Sequence, residues 1–244
     1  MSAPVFRASR AYEGVAVVIP AHNEGAKLPA CLRAVLTAAL CAPIPVAIVV
    51  VLDASDDGSA KLAGQYGPDV HFIRVDARNV GTARAVGFGY ARSLFAADDD
   101  FWYATTDADS RVDPGWLVHQ LGLGADMVLG VVRVTDWHHH SPALADRFER
   151  AYEAGWPDRD GEHEHVHGAN MGFSARAYWR VGGFRALASG EDVDLVERFE
   201  AAGYTIHRDT ELSVITSART QAHAPHGFAH YLGQLERSAA GDCA

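Results

Sequence analysis

Short apolar runs recur along the first half of the chain, and a helix-like segment follows almost every one. The runs are strand-sized and rich in β-branched residues, as is typical of strands buried on both faces of a parallel sheet. This alternation predicts an α/β fold, a single Rossmann-like domain whose mostly parallel central sheet is flanked by helices. The predicted strands are Val15–Pro20, Val46–Leu52, His71–Val75 and Phe101–Thr106, and the predicted helices are Ala26–Leu40, Ser59–Tyr66 and Gly81–Ala97.

The second half of the chain is less regular but continues the same kinds of element. The further predicted strands are Asp126–Val134, Tyr204–Arg208 and Leu212–Thr216, and the further predicted helices are Ala143–Ala154, Ala175–Val181 and Asp192–Ala202. The sequence contains no internal repeat and no long linker. We therefore expect one folded unit over residues 15–237, preceded by a leader at 1–14 and followed by a frayed tail at 238–244.

Acidic residues stand where the predicted strands end, and ligands of doubly wound sheets bind beyond those carboxyl ends. Asp107 and Asp109 follow the fourth strand with one residue between them. Two carboxylates that leave a strand together can converge on one cation. Oxygen ligands with open positions suit Mg²⁺ or Mn²⁺, and phosphate oxygens can complete the coordination. The alternative is a solvated acidic turn, since this spacing also occurs by chance.

A second acidic site is Glu191-Asp192, which a glycine introduces at the start of a predicted helix. A carboxylate held there can act as a general base on a hydroxyl group. The alternative is a helix whose first-turn acids complement the helix dipole, and that alternative fits Asp194 best. We predict that Asp192 is the base and that Glu191 belongs to the same catalytic pair.

The segment Asn79–Arg84 opens another predicted helix. Its glycine lets the backbone approach a ligand closely, and Arg84 brings a cation toward phosphate. A plain loop-to-helix junction is the competing interpretation.

Histidines are concentrated in two segments, His138–His140 and the alternating set His163, His165 and His167. Alternate residues of one strand share a face but seldom supply the tetrahedral angles that zinc requires. Structural zinc is therefore disfavoured, and solvated or substrate-contacting histidines are the preferred interpretation.

The formal net charge of −10 argues against a nucleic-acid partner, because such proteins usually present a basic face. The three cysteines form neither a CxxC pair nor an even disulfide set. No signal peptide is visible, and no apolar run reaches the length of a membrane span. We expect a cytoplasmic protein with no transmembrane segment.

Seven short motifs occur in an order and spacing that resemble the inverting glycosyltransferase family 2, with its A-type nucleotide-diphospho-sugar transferase fold. The resemblance extends from about residue 15 to about residue 228. The motifs are Val18–Glu24, Val50–Ser59, Asn79–Arg84, Thr106–Asp109, Gly168–Met171, Val181–Phe184 and Gly190–Asp192.

The resemblance implies a nucleotide-binding half over residues 15–110 and an acceptor half over residues 111–237. It implies that Asp107 is shared between the metal and the ribose, that Asp53 reads the base edge, and that Glu24 lies near the ribose hydroxyls. The residues that it places along the nucleotide are Pro20, Asn23, Glu24, Asp53, Asn79, Arg84 and Asp107.

For the reacting end, the resemblance implies that Asp109 is the firmer ligand of a Mn²⁺ or Mg²⁺ cofactor. A histidine completes the metal shell in some family members, and either His223 or His226 fits that position. Arg219 is a candidate contact of the leaving diphosphate, by charge pairing. The resemblance implies that Gly168, Ala169, Asn170 and Met171 line the pocket where donor sugar and acceptor meet.

The implied activity is metal-dependent, inverting transfer of a sugar from a UDP- or GDP-sugar to a hydroxyl acceptor. Because the QxxRW motif of processive synthases is absent, we expect single additions to a small or soluble polar acceptor. A second copy of the chain, as a homodimer, is the remaining partner considered. Two alternatives stay open: a retaining transferase on the same fold, and a catalytically silent sugar-nucleotide-binding protein.

Overall fold

The computed structural model describes residues 12–95, 100–138, 142–153 and 163–217, and its elements follow the predicted alternation. The strands are β1 (Gly14–Ala21), β2 (Val46–Asp53), β3 (Val70–Val75), β4 (Phe101–Thr105), β5 (Met127–Val134), β6 (Met171–Ser174) and β7 (Ile206–Thr216). The helices are α1 (Leu28–Cys41), α2 (Val80–Leu94), α3 (Trp116–Gly122), α4 (Pro142–Glu153), α5 (Ala175–Arg180) and α6 (Glu191–Ala201).

The strands form one mixed sheet in the order β3-β2-β1-β4-β6-β5-β7. Strand β6 is antiparallel to β4 and β5, and every other pairing is parallel. Strands β1, β2 and β4 therefore end at the same edge of the sheet, which is where the acidic motifs lie. The predicted α/β class with a mostly parallel sheet is confirmed.

Both faces of the sheet are covered around its central strands, which explains why β1 and β2 are apolar almost throughout. Along β1, Val15, Val17 and Ile19 belong to one core with α1 and α3. Ala16 and Val18 belong to a second core with α2, α5 and α6. A strand buried on both faces loses the apolar-polar alternation of a half-exposed strand.

The helix predicted over Ser59–Tyr66 is wrong in length and type. The structure has a short 3₁₀ helix, Ser59–Leu62. Gly64 then adopts a φ of +79°, in the left-handed region, so a right-handed helix cannot continue through it.

The two strands predicted at the end of the described chain are one strand, β7. A register shift relative to β5 occurs at Gly130/Val131, opposite the segment that separated the two predictions. The carboxylate of Asp209 accepts hydrogen bonds from the backbone N–H of Glu211 (2.8 Å) and of Leu212 (3.3 Å). The irregularity is therefore stabilised inside a continuous strand, as β-bulges commonly are.

Strand β6 and helix α3 were not predicted. Strand β6 has only four residues, and Gly172 interrupts its apolar pattern. A Cβ atom at Gly172 would lie 2.1 Å from Oε1 of Gln120, so α3 packs directly against the bare backbone of β6. A glycine inside a strand marks such a close approach.

Candidate active site

The acidic pair lies in the turn that follows β4, where the Ser110 N–H donates to the Asp107 carbonyl (3.0 Å). The side chain of Asp107 is 34% exposed, whereas that of Asp109 is 2% exposed. From α1, Sγ of Cys31 donates to the carbonyl of Asp107 at 3.4 Å. Burial, with the negative charges of the pair, raises the pKa of the Cys31 thiol, so the thiol stays protonated and can donate.

Arg84 of α2 links this turn to the second acidic site. Its Nη2 lies 2.8 Å from Oδ1 of Asp107, and its Nη1 donates to Oε1 of Glu191. Burial works to lower the pKa of Arg84, but the surrounding carboxylates outweigh burial and raise it. The guanidinium is thus a permanent cation between acids that are 84 residues apart in the chain, and it makes one cluster of the two motifs. The predicted contact of Arg84 with phosphate stays a prediction.

Glycines make room for this link. A Cβ at Gly168 would lie 2.4 Å from Nη2 of Arg84, and a Cβ at Gly81 would lie 2.1 Å from the carbonyl oxygen of Arg185. The close approach that Gly81 permits is therefore to the protein backbone that leads into α6. The glycines pack α2 tightly against the loop that carries the second acidic site.

The two neighbouring acids of α6 have different surroundings. Glu191 is buried; burial raises its pKa, and the adjacent Arg84 opposes that rise. Asp192 is half-buried: its Oδ2 accepts from the Gly168 N–H (2.9 Å) and its Oδ1 from the Val193 N–H (2.9 Å). Two backbone donors hold the Asp192 carboxylate in place, and each oxygen has a second lone pair.

Asp53, at the end of β2, organises the loop before α2. Its Oδ1 accepts from the N–H groups of Ala77 (2.7 Å) and Arg78 (2.8 Å), and its Oδ2 from that of Asn79 (2.8 Å). A carboxylate offers about four lone-pair positions, so about one is left for a ligand. The contact of Asp53 with the base stays a prediction. The role of Asp53 in ordering the loop before α2 was not predicted from the sequence.

The loops that follow β1 and β2 are tied together. Asn23, with a φ of +53°, accepts from the Asp56 N–H through Oδ1 (2.9 Å) and donates its own N–H to Oγ of Ser55 (3.2 Å). The Gly25 N–H donates to Oδ2 of Asp57 (2.5 Å). These hydrogen bonds fix the edge of the sheet along which we predict the nucleoside.

The other predicted nucleotide contacts lie along the same edge. Pro20 is the penultimate residue of β1, and Glu24 begins the turn into α1 with its side chain largely buried. Asn79 caps α2: its Oδ1 accepts from the Thr82 N–H (2.8 Å), and its Nδ2 donates to the Leu187 carbonyl (2.6 Å). Their contacts with a nucleotide stay predictions.

The predicted pocket residues of the segment 168–171 are all buried. The amide of Asn170 is engaged inside the protein: Nδ2 donates to the carbonyls of Val131 (2.9 Å) and Leu212 (2.8 Å), and Oδ1 accepts from Nε1 of Trp116 (2.9 Å). Ala169 and Met171 belong to the hydrophobic cores. Within this segment, the Gly168 backbone makes the contact with Asp192, and the pocket role of the four residues stays a prediction.

The alternating histidines stack against one another beside this segment. Ring centroids are 5.9 Å apart for His163 and His165, and 5.8 Å apart for His165 and His167. Tyr152 of α4 stacks on His165 at 3.9 Å, and its hydroxyl lies 2.8 Å from Nε2 of His167. The same hydroxyl accepts from the Val132 N–H (3.0 Å). Burial, with the neighbouring histidines, lowers the pKa of His167 to about 3.

The donor set fits a divalent cation that shares its coordination with a ligand. Asp107 and Asp109 offer carboxylate oxygens, which Mg²⁺ and Mn²⁺ prefer, and phosphate oxygens can supply the remaining positions. Within the described ranges, no group of three or more His, Cys, Asp or Glu side chains is arranged to hold a metal. The predicted ligands His223 and His226, and the predicted diphosphate contact Arg219, lie outside the described residues.

Two contacts at this edge involve residues that the sequence did not single out. Nδ1 of His22 lies 2.7 Å from the Asp53 carbonyl, and Nζ of Lys27 lies 4.0 Å from Oδ2 of Asp109. His22 lies inside the first motif and Lys27 follows it by three residues. That proximity was the only feature of the sequence that could have indicated a role for either residue. Their contacts depend on loops that are brought together by the sheet.

This sheet, with helices on both faces, has the A-type fold of the glycosyltransferase structures that it matches. The model of the family described as "Glycosyl transferase family 2" matches residues 16–182, more than half of the chain. The chain therefore belongs to glycosyl transferase family 2. Among curated protein sequences, none matches it significantly.

Solved structures agree with the fold. Residues 1–349 of S. aureus TarS, in complex with UDP-GlcNAc, match with a TM-score of 0.61 and 12% identity, over 91% of this chain and 64% of that chain. The mannosyltransferase PcManGT from Pyrobaculum calidifontis, in complex with GDP-Man and Mn²⁺, matches with a TM-score of 0.60 and 18% identity, over 86% of this chain and 58% of that chain. This chain thus spans less than two thirds of either structure. No helix in its described part is long and apolar enough to cross a bilayer.

Proposed function

We propose that this protein transfers a sugar from a nucleoside-diphosphate sugar to a hydroxyl group of a small polar acceptor, one sugar at a time and with inversion at the anomeric carbon. The observation that carries the proposal is the double contact of Arg84, with Asp107 in the acidic pair and with Glu191 beside Asp192. One guanidinium thereby holds the predicted diphosphate site next to the predicted base. Single addition is supported by the absence of a QxxRW motif from the sequence.

The donor end of the site uses the edge formed by β1, β2 and β4. Asp53 orders the loop 77–79, and the tied loops after β1 and β2 give that edge a fixed shape for a nucleoside. Relatives of the same fold were solved with UDP-GlcNAc and with GDP-Man, so uridine and guanosine are the two bases to test. Asp107 is proposed to contact the ribose, and Asp109 the cation at the diphosphate.

A divalent cation held by Asp109 and Asp107 would neutralise the charge that develops on the diphosphate as it leaves. The proposal for Mn²⁺ or Mg²⁺ is supported by the carboxylate donors and by the Mn²⁺ in the PcManGT structure. A histidine from the end of the chain, His223 or His226, is the proposed additional ligand.

The acceptor end of the site depends on Asp192. Its carboxylate, oriented by the N–H groups of Gly168 and Val193, accepts the proton of the acceptor hydroxyl as the oxygen attacks the anomeric carbon. Glu191 orients Arg84, and through it Asp107, so we propose that Glu191 positions the site. A direct displacement of this kind inverts the anomeric configuration, whereas a retaining enzyme would give the other anomer.

A thermal-shift screen of UDP- and GDP-sugars with Mn²⁺ tests this function. A ligand at about 100 times its Kd stabilises the folded state by about 2.7 kcal/mol, which raises the melting temperature. We expect one nucleotide series to raise it in the presence of Mn²⁺ and to lose most of that effect with a chelator. No shift with any UDP- or GDP-sugar would contradict the proposal. A shift without any donor consumption would indicate a silent binding protein.

A further inference from the structure

Lys27 occupies the junction between the predicted nucleoside and diphosphate sites. Its Nζ lies 3.9 Å from Oε2 of Glu24 and 4.0 Å from Oδ2 of Asp109, and it donates to Oγ of Ser217 at 3.1 Å. The two carboxylate side chains are 8% and 2% exposed, whereas the Lys27 side chain is 42% exposed. One partly exposed lysine side chain therefore faces two nearly buried acids.

The backbone fixes where this side chain begins. The N–H groups of Lys27 (2.9 Å) and Leu28 (2.8 Å) both donate to the carbonyl of Glu24, which forms a tight turn into α1. One turn further along α1, Cys31 contacts the carbonyl of Asp107. The start of α1 therefore lies against the acidic turn at two points, and only the four-carbon stem of Lys27 is free to change its direction.

Lysine is rare in this chain. Only two of its 21 basic Lys and Arg residues are lysines, Lys27 and Lys61. Arginine forms planar, directional ion pairs, as Arg84 does with Asp107, whereas lysine carries a compact charge on a flexible stem. At Lys27 the chain therefore has the basic side chain that can more easily exchange one anionic partner for another.

The two acids of the pair thus have cations of different character. Asp107 contacts Arg84, whose side chain is 3% exposed and held between two carboxylates. Asp109 has the more exposed Lys27 nearby. A divalent cation on Asp109 would repel an ammonium 4 Å from the same oxygen, while an arriving diphosphate would attract that ammonium.

We propose that Lys27 is an exchangeable counter-ion of the donor site. It neutralises Asp109 before a cation binds, and it pairs with the donor's diphosphate once a divalent cation is held by Asp109. This inference rests on the proposed function and adds a diphosphate-contacting residue to it.

The test combines two titrations of Lys27→Met. Because the variant lacks the competing ammonium, Mn²⁺ alone should bind about threefold more tightly, as followed by electron paramagnetic resonance. Because it also lacks the phosphate contact, UDP or GDP should bind about tenfold more weakly at saturating Mn²⁺, as followed by calorimetry. A role in folding alone does not predict opposite changes in the two affinities.

Lys61→Met is the matched control, because it removes the other lysine, on the 3₁₀ helix Ser59–Leu62, and should leave both affinities unchanged. Lys27→Arg keeps the charge and should recover most of the nucleotide affinity. Unchanged nucleotide affinity in Lys27→Met, or a fall in both affinities, would overturn the inference and leave the proposed function standing. If the unaltered protein binds neither UDP nor GDP, both proposals fail together.

Discussion

Asp192→Asn is expected to reduce sugar transfer by about 10²–10⁴-fold while UDP or GDP affinity stays essentially unchanged. Asparagine has the shape of aspartate, and its amide oxygen can still accept from the Gly168 N–H. It cannot take up a proton at neutral pH, so the acceptor hydroxyl loses its base. Turnover is measured as release of the nucleoside diphosphate in the presence of acceptor, and affinity by calorimetry with Mn²⁺.

Asp194→Asn is the control for this prediction, because it makes the same chemical change one residue beyond Val193 on α6. Asp194 instead pairs with Arg185 and Arg198. We expect this variant to retain turnover. If Asp192→Asn also retained near-normal turnover, Asp192 would not be the base, and a retaining mechanism would become the better account. The anomeric configuration of the product, read by NMR, would decide that question.

Arg84→Met is expected to lower the free energy of unfolding by about 3–5 kcal/mol, the usual cost of removing one partner from a buried ion pair. Methionine fills part of the volume but leaves the carboxylates of Asp107 and Glu191 without their shared cation. Burial already raises the pKa of Glu191, so the loss of Arg84 should raise it further. Urea denaturation measures the change in stability.

Arg185→Met provides the comparison for Arg84→Met. The side chain of Arg185 is 56% exposed and pairs with Asp194, so its removal should cost about 0–1 kcal/mol. The double variant Arg84→Met/Glu191→Gln should recover part of the lost stability, because it also removes one buried charge. A cost for Arg84→Met no greater than that for Arg185→Met would show that the link between the two acidic sites is not an important part of the fold.

The fold could be predicted to the extent that each element has a pattern of its own. The long apolar runs of β1 and β2 follow from burial on both faces, and the sequence contains that information locally. Strand β6 has no such pattern, because a glycine interrupts it. Gly172 leaves the space that the side chain of Gln120 from α3 occupies. The continuity of β7 depends on hydrogen bonds that the Asp209 carboxylate accepts across its bulge, and local patterns do not reveal them.

The candidate site could be predicted as a set of positions but not as a set of contacts. The acids at the strand ends can be read from the sequence. Because the strands are parallel, their ends lie at one edge of the sheet, and the acids are therefore expected to lie close together. The link from Arg84 to Asp107 and Glu191 spans 23 and 107 residues, so it depends on the packing of α2 against β4 and α6. The same is true of Lys27, whose contact with Asp109 arises when the start of α1 meets the turn after β4.

Calorimetric titration of UDP and GDP, with Mn²⁺ and with a chelator, tests the central claim most directly when the protein is compared with Asp109→Ala. The account predicts that Mn²⁺ tightens nucleotide binding by about tenfold or more in the unaltered protein. Asp109→Ala should lose that increment, whereas Asp136→Ala, an exposed acid on the loop after β5, should keep it. An equal Mn²⁺-dependent increment in Asp109→Ala would contradict the proposal that this acidic pair holds the cation at the donor diphosphate.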